Sequence, residues 1–135
     1  MIIVYSYYVL DVVHKGHLFH MWNAKALAGP NGRSFVGILT DKAVMEKKNV
    51  PILSFDERVT IAQGIEFSDV VVPQETYSPF QNIRRIQPDI LIESSSHEKD
   101  LDVIAYMENG NGRIIILPYY PSQSSTSIKE KIRND

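Results

Sequence analysis

The chain has 135 residues, a net charge of −2 at pH 7, 44% hydrophobic residues, 22% charged residues and no cysteine. This length holds one hydrophobic core, so we expect a single domain over 1–135. The small net charge gives no general electrostatic reason for nucleic-acid binding, so an anionic ligand needs a local site. The lack of cysteine excludes a disulfide framework, a thiolate nucleophile and a Cys-based zinc site, and it fits a cytoplasmic location. No apolar run approaches the roughly 18 residues of a membrane span, and no basic leader marks a signal peptide.

Strand-like and helix-like blocks alternate along the chain. The strand-like blocks are short and rich in β-branched and aromatic residues, and Gly, Pro or charged residues separate the blocks. Strands are expected at 2–8, 34–40, 69–73, 89–93 and 113–118, and helices at 17–28, 54–65, 79–87, 99–109 and 125–134.

Two of the predicted helices carry further signals. In the first helix, Leu18, Met21, Trp22 and Leu27 fall on one side, which predicts that this side faces the core. In the second, the stretch "SFDE" beginning at residue 54 has the serine and the glutamate of a capping box.

Five strands that are each followed by a helix indicate βαβ units. Right-handed crossovers then produce a doubly wound, Rossmann-like, five-stranded parallel sheet, and the fold class is α/β. Ligands of such sheets bind beyond the carboxyl ends of the strands, where the strand order reverses. The loop after the first strand, "VLDVVHKGH" (9–17), is therefore expected to form one wall of the binding crevice.

Two histidines of this loop are candidates for chemistry on phosphate. His14 and His17 flank Gly16, which has no Cβ and allows close approach of a ligand. His17 lies near the start of a helix, where backbone N–H groups favour an anion. Two imidazoles here can donate hydrogen bonds to phosphate oxygens and stabilise charge during phosphoryl or nucleotidyl transfer.

Other interpretations of the same residues stay open. Loop histidines are often simply solvated, and His20 on the same helix is expected at the surface or in packing. His14, His17 and His20, with Asp11 at the nearest carboxylate position, would also be a conceivable zinc site.

The motif "LDVVHKGH" before a helix, together with "SSTSIKEKI" (124–132), resembles the cytidylyltransferase-type nucleotidyltransferases. Glycerol-3-phosphate cytidylyltransferase is the most similar type, and flavin adenine dinucleotide synthetases and sugar-phosphate adenylyltransferases are related. The resemblance covers nearly the whole chain.

The resemblance implies roles for residues along the chain. His14 and His17 match the catalytic histidines of the family. Lys47 falls at the position of a phosphate-binding lysine with a catalytic role, and Lys48 is the alternative. Contacts to the nucleotide or its phosphates are implied at Val9, Leu10, Asp11, Gly16, Lys48, Arg58, Ser124, Ser125 and Thr126.

Three loops depart from the family pattern. Tyr8 and Val9 stand where the family has a glycine and a hydroxyl residue. Tyr119 and Ser122 replace an arginine and a glycine, and "ESSS" (93–96) replaces the family's Met-Gly-x-Asp loop.

The expected reaction transfers a nucleoside monophosphate from a triphosphate, with CTP expected, to a small phosphorylated alcohol and releases pyrophosphate. The nucleotide is expected to bring Mg²⁺, and the resemblance implies a homodimer. Adenylyl transfer from ATP and a non-catalytic nucleotide-binding domain remain alternatives. A class I aminoacyl-tRNA synthetase shares a related motif, but this chain is too short for one.

Overall fold

The structure is a computed structural model that describes residues 1–118, 129, 131 and 132. Its strands are β1 (Ile3–Tyr8), β2 (Arg33–Leu39), β3 (Val70–Gln74), β4 (Ile90–Ser94) and β5 (Arg113–Leu117). Its helices are α1 (Lys15–Ala28), α2 (Asp41–Met45), α3 (Phe55–Gln63), α4 (Phe80–Ile86) and α5 (Leu101–Tyr106), and a wider helical turn at Met107–Asn111 continues α5.

The five strands form one sheet in the order β3-β2-β1-β4-β5, and every neighbouring pair is parallel. The predicted Rossmann-like fold is confirmed. The chain proceeds outward from β1 through β2 to β3 and then returns to β4 on the other side of β1. The strand order therefore reverses between β1 and β4, which is where a ligand crevice is expected.

Several predicted boundaries differ from the observed ones. Helix α1 begins at residue 15 and not 17, so His17 lies inside its first turn. Helix α2 was not predicted, because five residues carry too little periodic signal. The capping box of Ser54 and Glu57 is present at the start of α3. Of the predicted helix 125–134, the described residues Lys129, Lys131 and Ile132 are helical.

The prediction of which side of α1 faces the core was largely wrong. Met21 is fully buried, but Leu18, Trp22 and Leu27 are exposed by 39%, 58% and 36%. Helix α1 instead packs small residues on the sheet: Ala24 and Ala28 join the cluster of Val4, Ile90 and Ile92. Small residues allow the helix to lie close to the strands, which leaves the larger apolar side chains on the outer face.

A buried polar network fixes the other face of the sheet. The Tyr5 hydroxyl donates to Gln74 Oε1 at 2.6 Å and accepts from Asn82 Nδ2 at 2.9 Å. The Gln74 side-chain amide then donates to the carbonyl of Tyr77. A Cβ at Gly37 would lie 2.0 Å from the Tyr5 hydroxyl, so only glycine fits there. The network holds the segment after β3, and Tyr77 with it, at the carboxyl edge of the sheet.

Candidate active site

The first turn of α1 is built around the histidine pair. His14 is the N-cap residue, and its Nδ1 accepts a hydrogen bond from the Gly16 amide at 3.0 Å. His17 Nδ1 in turn accepts from the His14 amide at 3.2 Å. The two imidazoles therefore form a reciprocal capping box, with histidines in the roles that Ser or Thr and Glu usually take. This local geometry requires a separation of three residues between them.

These contacts determine where the imidazole protons lie. A backbone N–H can only donate, so Nδ1 of His14 and of His17 must be unprotonated. In each neutral ring the hydrogen is then on Nε2, which leaves an Nε2–H donor to meet a ligand. The two ring centroids are 4.1 Å apart, so both donors serve one region.

Burial favours the neutral form of both rings. It lowers the pKa of His14 from its ordinary value. Burial, followed by the repulsion of protonated His14 and His20, lowers the pKa of His17 to about 3. Near neutral pH the pair consists of two neutral hydrogen-bond donors, suited to stabilising charge that develops on a phosphate.

A cavity of about 870 Å³ opens at the carboxyl ends of β1 and β4. This lies within the roughly 300–1,000 Å³ typical of small-molecule sites. All four histidines of the chain line it, namely His14, His17, His20 and His97. Three lysines also line it: Lys47 and Lys48 from the loop after α2, and Lys129. Most of the sequence-predicted residues therefore meet in one cavity.

Val9, Leu10, Asp11 and Gly16 also line this cavity, as predicted. Leu10 has a left-handed backbone with φ of 62° and a fully buried side chain. A bulky residue in this region is strained by about 1–3 kcal/mol and is typical of functional loops. The strained turn directs the chain from β1 into the segment that carries His14 and His17, called the histidine loop below.

Arg58 does not line the cavity, contrary to its predicted contact with an anionic group. Its guanidinium is fully buried, and Nη1 donates to the carbonyls of Val9 and Leu39 at 2.7 Å each. Nε donates to the Leu53 carbonyl, and Nη2 pairs with Asp41 at 2.7 Å. Arg58 thus ties together the loops that follow β1 and β2, and its donors are used within the protein.

The Asp11 carboxylate likewise contacts the protein. It accepts hydrogen bonds from the amides of Ile52 at 2.9 Å and Leu53 at 2.8 Å, and it pairs with Lys129. Burial alone would raise the pKa of Asp11. The Leu53 amide, Lys129 and the Ile52 amide outweigh that effect, so the pKa lies below its ordinary value.

The sequence pointed to the opposite wall of the cavity only through the altered "ESSS" loop (93–96), and the contacts of that wall with Tyr7 and His97 were not predicted. The Tyr7 hydroxyl donates to the Glu93 carboxylate, with oxygen distances of 2.7 and 2.9 Å. His97 Nδ1 lies 3.2 Å from Glu93 Oε2 and 3.1 Å from the Tyr7 hydroxyl. Burial and the Glu93 charge raise the pKa of Tyr7, so the phenol stays protonated. Residues 86 positions apart form this wall, so no local motif indicates it.

His20 also lines the cavity, whereas the sequence predicted a surface or packing role for it. It bonds the carbonyl of Pro118, and its pKa is lowered chiefly by burial. Its spacing of three from His17 on the same helix was the signal available in the sequence. Tyr8, which replaces the family's glycine, packs edge-on against His17 and His20, with ring centroids 6.0 and 6.4 Å away.

The zinc alternative finds no support among residues 1–118, 129, 131 and 132, where no three His, Asp or Glu side chains are placed to hold a metal. The cavity carboxylates have protein partners: Asp11 with Lys129, Glu93 with Tyr7, and Glu46 with the Tyr77 amide.

In the described part of the chain, no helix combines the length and hydrophobicity needed to cross a membrane. Ser124, Ser125 and Thr126, and the departures at Tyr119 and Ser122, lie outside the described residues.

The family model described as cytidylyltransferase-like matches residues 9–131. The chain belongs to the cytidylyltransferase-like family. The predicted family and the predicted enzyme class, nucleotidyltransferase, are thereby confirmed.

Relatives of this cytidylyltransferase-like chain differ in length. It is 30% identical over 126 residues to the FAD synthase of Korarchaeum cryptofilum, covering 90% of this chain and 85% of that protein. It is 33% identical over 129 residues to the bifunctional protein HldE of Nitrosococcus oceani, but it spans only 26% of that protein's length. A crystal structure of a lipopolysaccharide core biosynthesis protein from Thermoplasma volcanium has the same fold, with a TM-score of 0.73 and 18% identity over 91% of this chain and 99% of that one.

Proposed function

We propose that the cavity binds a nucleoside triphosphate and a phosphorylated small molecule and joins them with release of pyrophosphate. The observation that carries the proposal is the histidine capping box, which presents two neutral Nε2–H donors within one cavity. Lys47 and Lys48 line the same cavity and supply positive charge for the phosphates. Family membership supports the reaction class.

In the proposed reaction, an oxygen of the acceptor phosphate attacks the α-phosphorus of the triphosphate. The bond from the α-phosphorus to the bridging oxygen breaks, and pyrophosphate leaves with that electron pair. No protein nucleophile is needed, because the acceptor supplies the attacking oxygen. His14 and His17 donate to the α-phosphate oxygens, where charge builds in the transition state. Catalysis then consists of orientation and electrostatic stabilisation.

ATP and CTP are the two candidate nucleotide substrates, and a different observation favours each. ATP is favoured by the likeness to an FAD synthase, because FAD is formed by adenylyl transfer. CTP is favoured by the sequence resemblance and by the description of the family. The acceptor in this proposal is a phosphorylated alcohol, sugar or flavin, because the acceptor must supply a phosphate oxygen as the nucleophile.

Mg²⁺ belongs to this proposal as an ion that arrives on the triphosphate and neutralises its charge. The cavity carboxylates are engaged by protein groups, which is consistent with a metal held chiefly by phosphate oxygens. We also propose a cytoplasmic homodimer on the strength of the family resemblance. Light scattering coupled to gel filtration measures the dimer directly.

The test is a pyrophosphate-release assay with ATP, CTP, GTP and UTP against glycerol phosphate, sugar phosphates and FMN. We expect turnover with one nucleotide and one acceptor class, and a loss of at least about a hundredfold in His17→Asn, because a transition-state donor is removed. Lys131→Met, an exposed change, is the control and should keep full activity. Absence of turnover for every pair contradicts the proposal. Nucleotide binding in calorimetry without turnover supports the non-catalytic alternative instead.

A further inference from the structure

One carboxylate connects three separate segments at the edge of the cavity. Asp11 belongs to the histidine loop, accepts from the Ile52 and Leu53 amides, and pairs with Lys129 near the carboxyl end of the chain. The Asp11 side chain is 2% exposed and that of Lys129 is 20% exposed. A carboxylate buried this deeply is strongly destabilising unless a cation or several donors accompany it.

The segment that Asp11 anchors carries the cavity lysines. Residues 46–50 are all exposed, and the amides of Lys47 and Lys48 reach back only to the carbonyl of Val44. At the far end of the segment, both Ile52 and Leu53 donate to Asp11. The path of the chain between Lys48 and Leu53 therefore depends on the Asp11 carboxylate and on its charge.

We propose that Lys129 is a positioning residue that acts through Asp11. Its ammonium group stabilises the ionised carboxylate, and the carboxylate holds segment 46–53 so that Lys47 and Lys48 face the cavity. The consequence for phosphate binding rests on the proposed function, but the tie between Lys129 and segment 46–53 does not. Lys129 thereby links the carboxyl-terminal part of the chain to the cavity segment that carries Lys47 and Lys48.

Lys129→Met tests the tie, and Lys131→Met is its matched control, since Lys131 is exposed on the same helical stretch. Amide hydrogen exchange of Ile52 and Leu53 is the first measurement. In Lys129→Met we expect exchange at both amides to become faster by roughly tenfold, the order of effect for a partly buried ion pair. Lys131→Met should match the wild type. Lys129→Arg keeps the charge and should restore slow exchange.

Triphosphate affinity is the second measurement, made by calorimetry with ATP and with CTP. Lys129→Met should weaken the affinity and raise KM, and kcat should fall much less than in His17→Asn, because His14 and His17 stay in place. Weakened affinity with unchanged exchange would instead make Lys129 a direct phosphate ligand and overturn the proposal. Unchanged exchange and affinity would show the ion pair to be incidental, which also overturns it.

Failure of the proposed function has a different signature. If the wild type binds neither triphosphate, that function is wrong, while the exchange of Ile52 and Leu53 still decides whether Lys129 acts through Asp11. If Lys129→Met does not fold, Lys129→Gln, which keeps a polar side chain, and Asp11→Asn, which hardly changes the side-chain volume, give the same comparison. Asp11→Asn keeps one oxygen acceptor but no charge, so the Ile52 and Leu53 amides should also exchange faster in this variant.

Discussion

The two walls of the cavity hold their polar groups by different means. On the α1 side, His14 and His17 are held by backbone amides within their own helical turn. On the β4 side, Glu93 is held by Tyr7, a side chain from a neighbouring strand. The first wall presents neutral donors next to lysines, and the second presents a carboxylate. Under the proposed function, a bound triphosphate is therefore expected to place its phosphates against the first wall and away from the second.

Arg58 lies behind the α1 side and supports the segments that carry both the histidine loop and the lysines. In Arg58→Met, the carbonyls of Val9, Leu39 and Leu53 lose their charged donor in a buried setting. We expect a loss of about 3–5 kcal/mol in the free energy of unfolding, measured by urea denaturation, because each buried acceptor left without a partner costs about 1–3 kcal/mol. Arg85→Met, an exposed change on α4, is the control. Equal stability of the two variants would mean that Arg58 does not carry this wall.

The histidine wall should also depend on pH. His17 has a pKa of about 3 when folded and 6.5 as its ordinary value, so the unfolded chain binds more protons between those values. Stability is therefore complete above about pH 6.5 and falls as pH drops towards 3, by up to about 1.4 kcal/mol per pH unit for this group.

His17→Gln isolates this contribution, since glutamine does not titrate. Urea unfolding between pH 7 and about 4 should show a flatter pH dependence in the variant than in the wild type. The same slope in both proteins would show that His17 does not stay neutral in the fold.

Glu93→Gln changes the opposite wall without a change in size. The hydrogen bond from Tyr7 loses its charged acceptor, so we expect stability to fall by about 1 kcal/mol. The variant should also bind a triphosphate at least as well as the wild type, because a negative charge has left the cavity. Thermal unfolding and calorimetry measure the two effects. Glu98→Gln, on the exposed loop beyond the strand, is the control.

The smallest effect is expected on the outer face of α1. Trp22→Ala should change stability by less than about 1 kcal/mol, because the side chain is 58% exposed. Met21→Ala should cost about 2–5 kcal/mol, because it opens a cavity in the core beneath the histidine wall. Thermal unfolding of both variants measures the difference. A larger loss of stability in Trp22→Ala than in Met21→Ala would support the core face of α1 that the periodicity predicted.

Local patterns predicted the elements well where the information was local. The apolar strands, the capping box at Ser54 and the position of the histidine motif after β1 were all readable from short stretches. The helix face of α1 was misread, because the burial of alanines depends on how closely the helix approaches the sheet. The burial of Arg58 was missed for a similar reason, since its three carbonyl partners come from three separate segments, namely the loop after β1, the end of β2 and the loop before α3.

The sequence by itself determined the alternation of strands and helices, the family and the histidine pair, because a spacing of three within one turn is set by backbone geometry. Only the tertiary structure decided which side chains share the cavity. Glu93 meets Tyr7, and Lys129 meets Asp11 from 118 residues away. Such pairs arise where parallel strands end side by side at one edge of the sheet, and no local pattern encodes which loops become neighbours there.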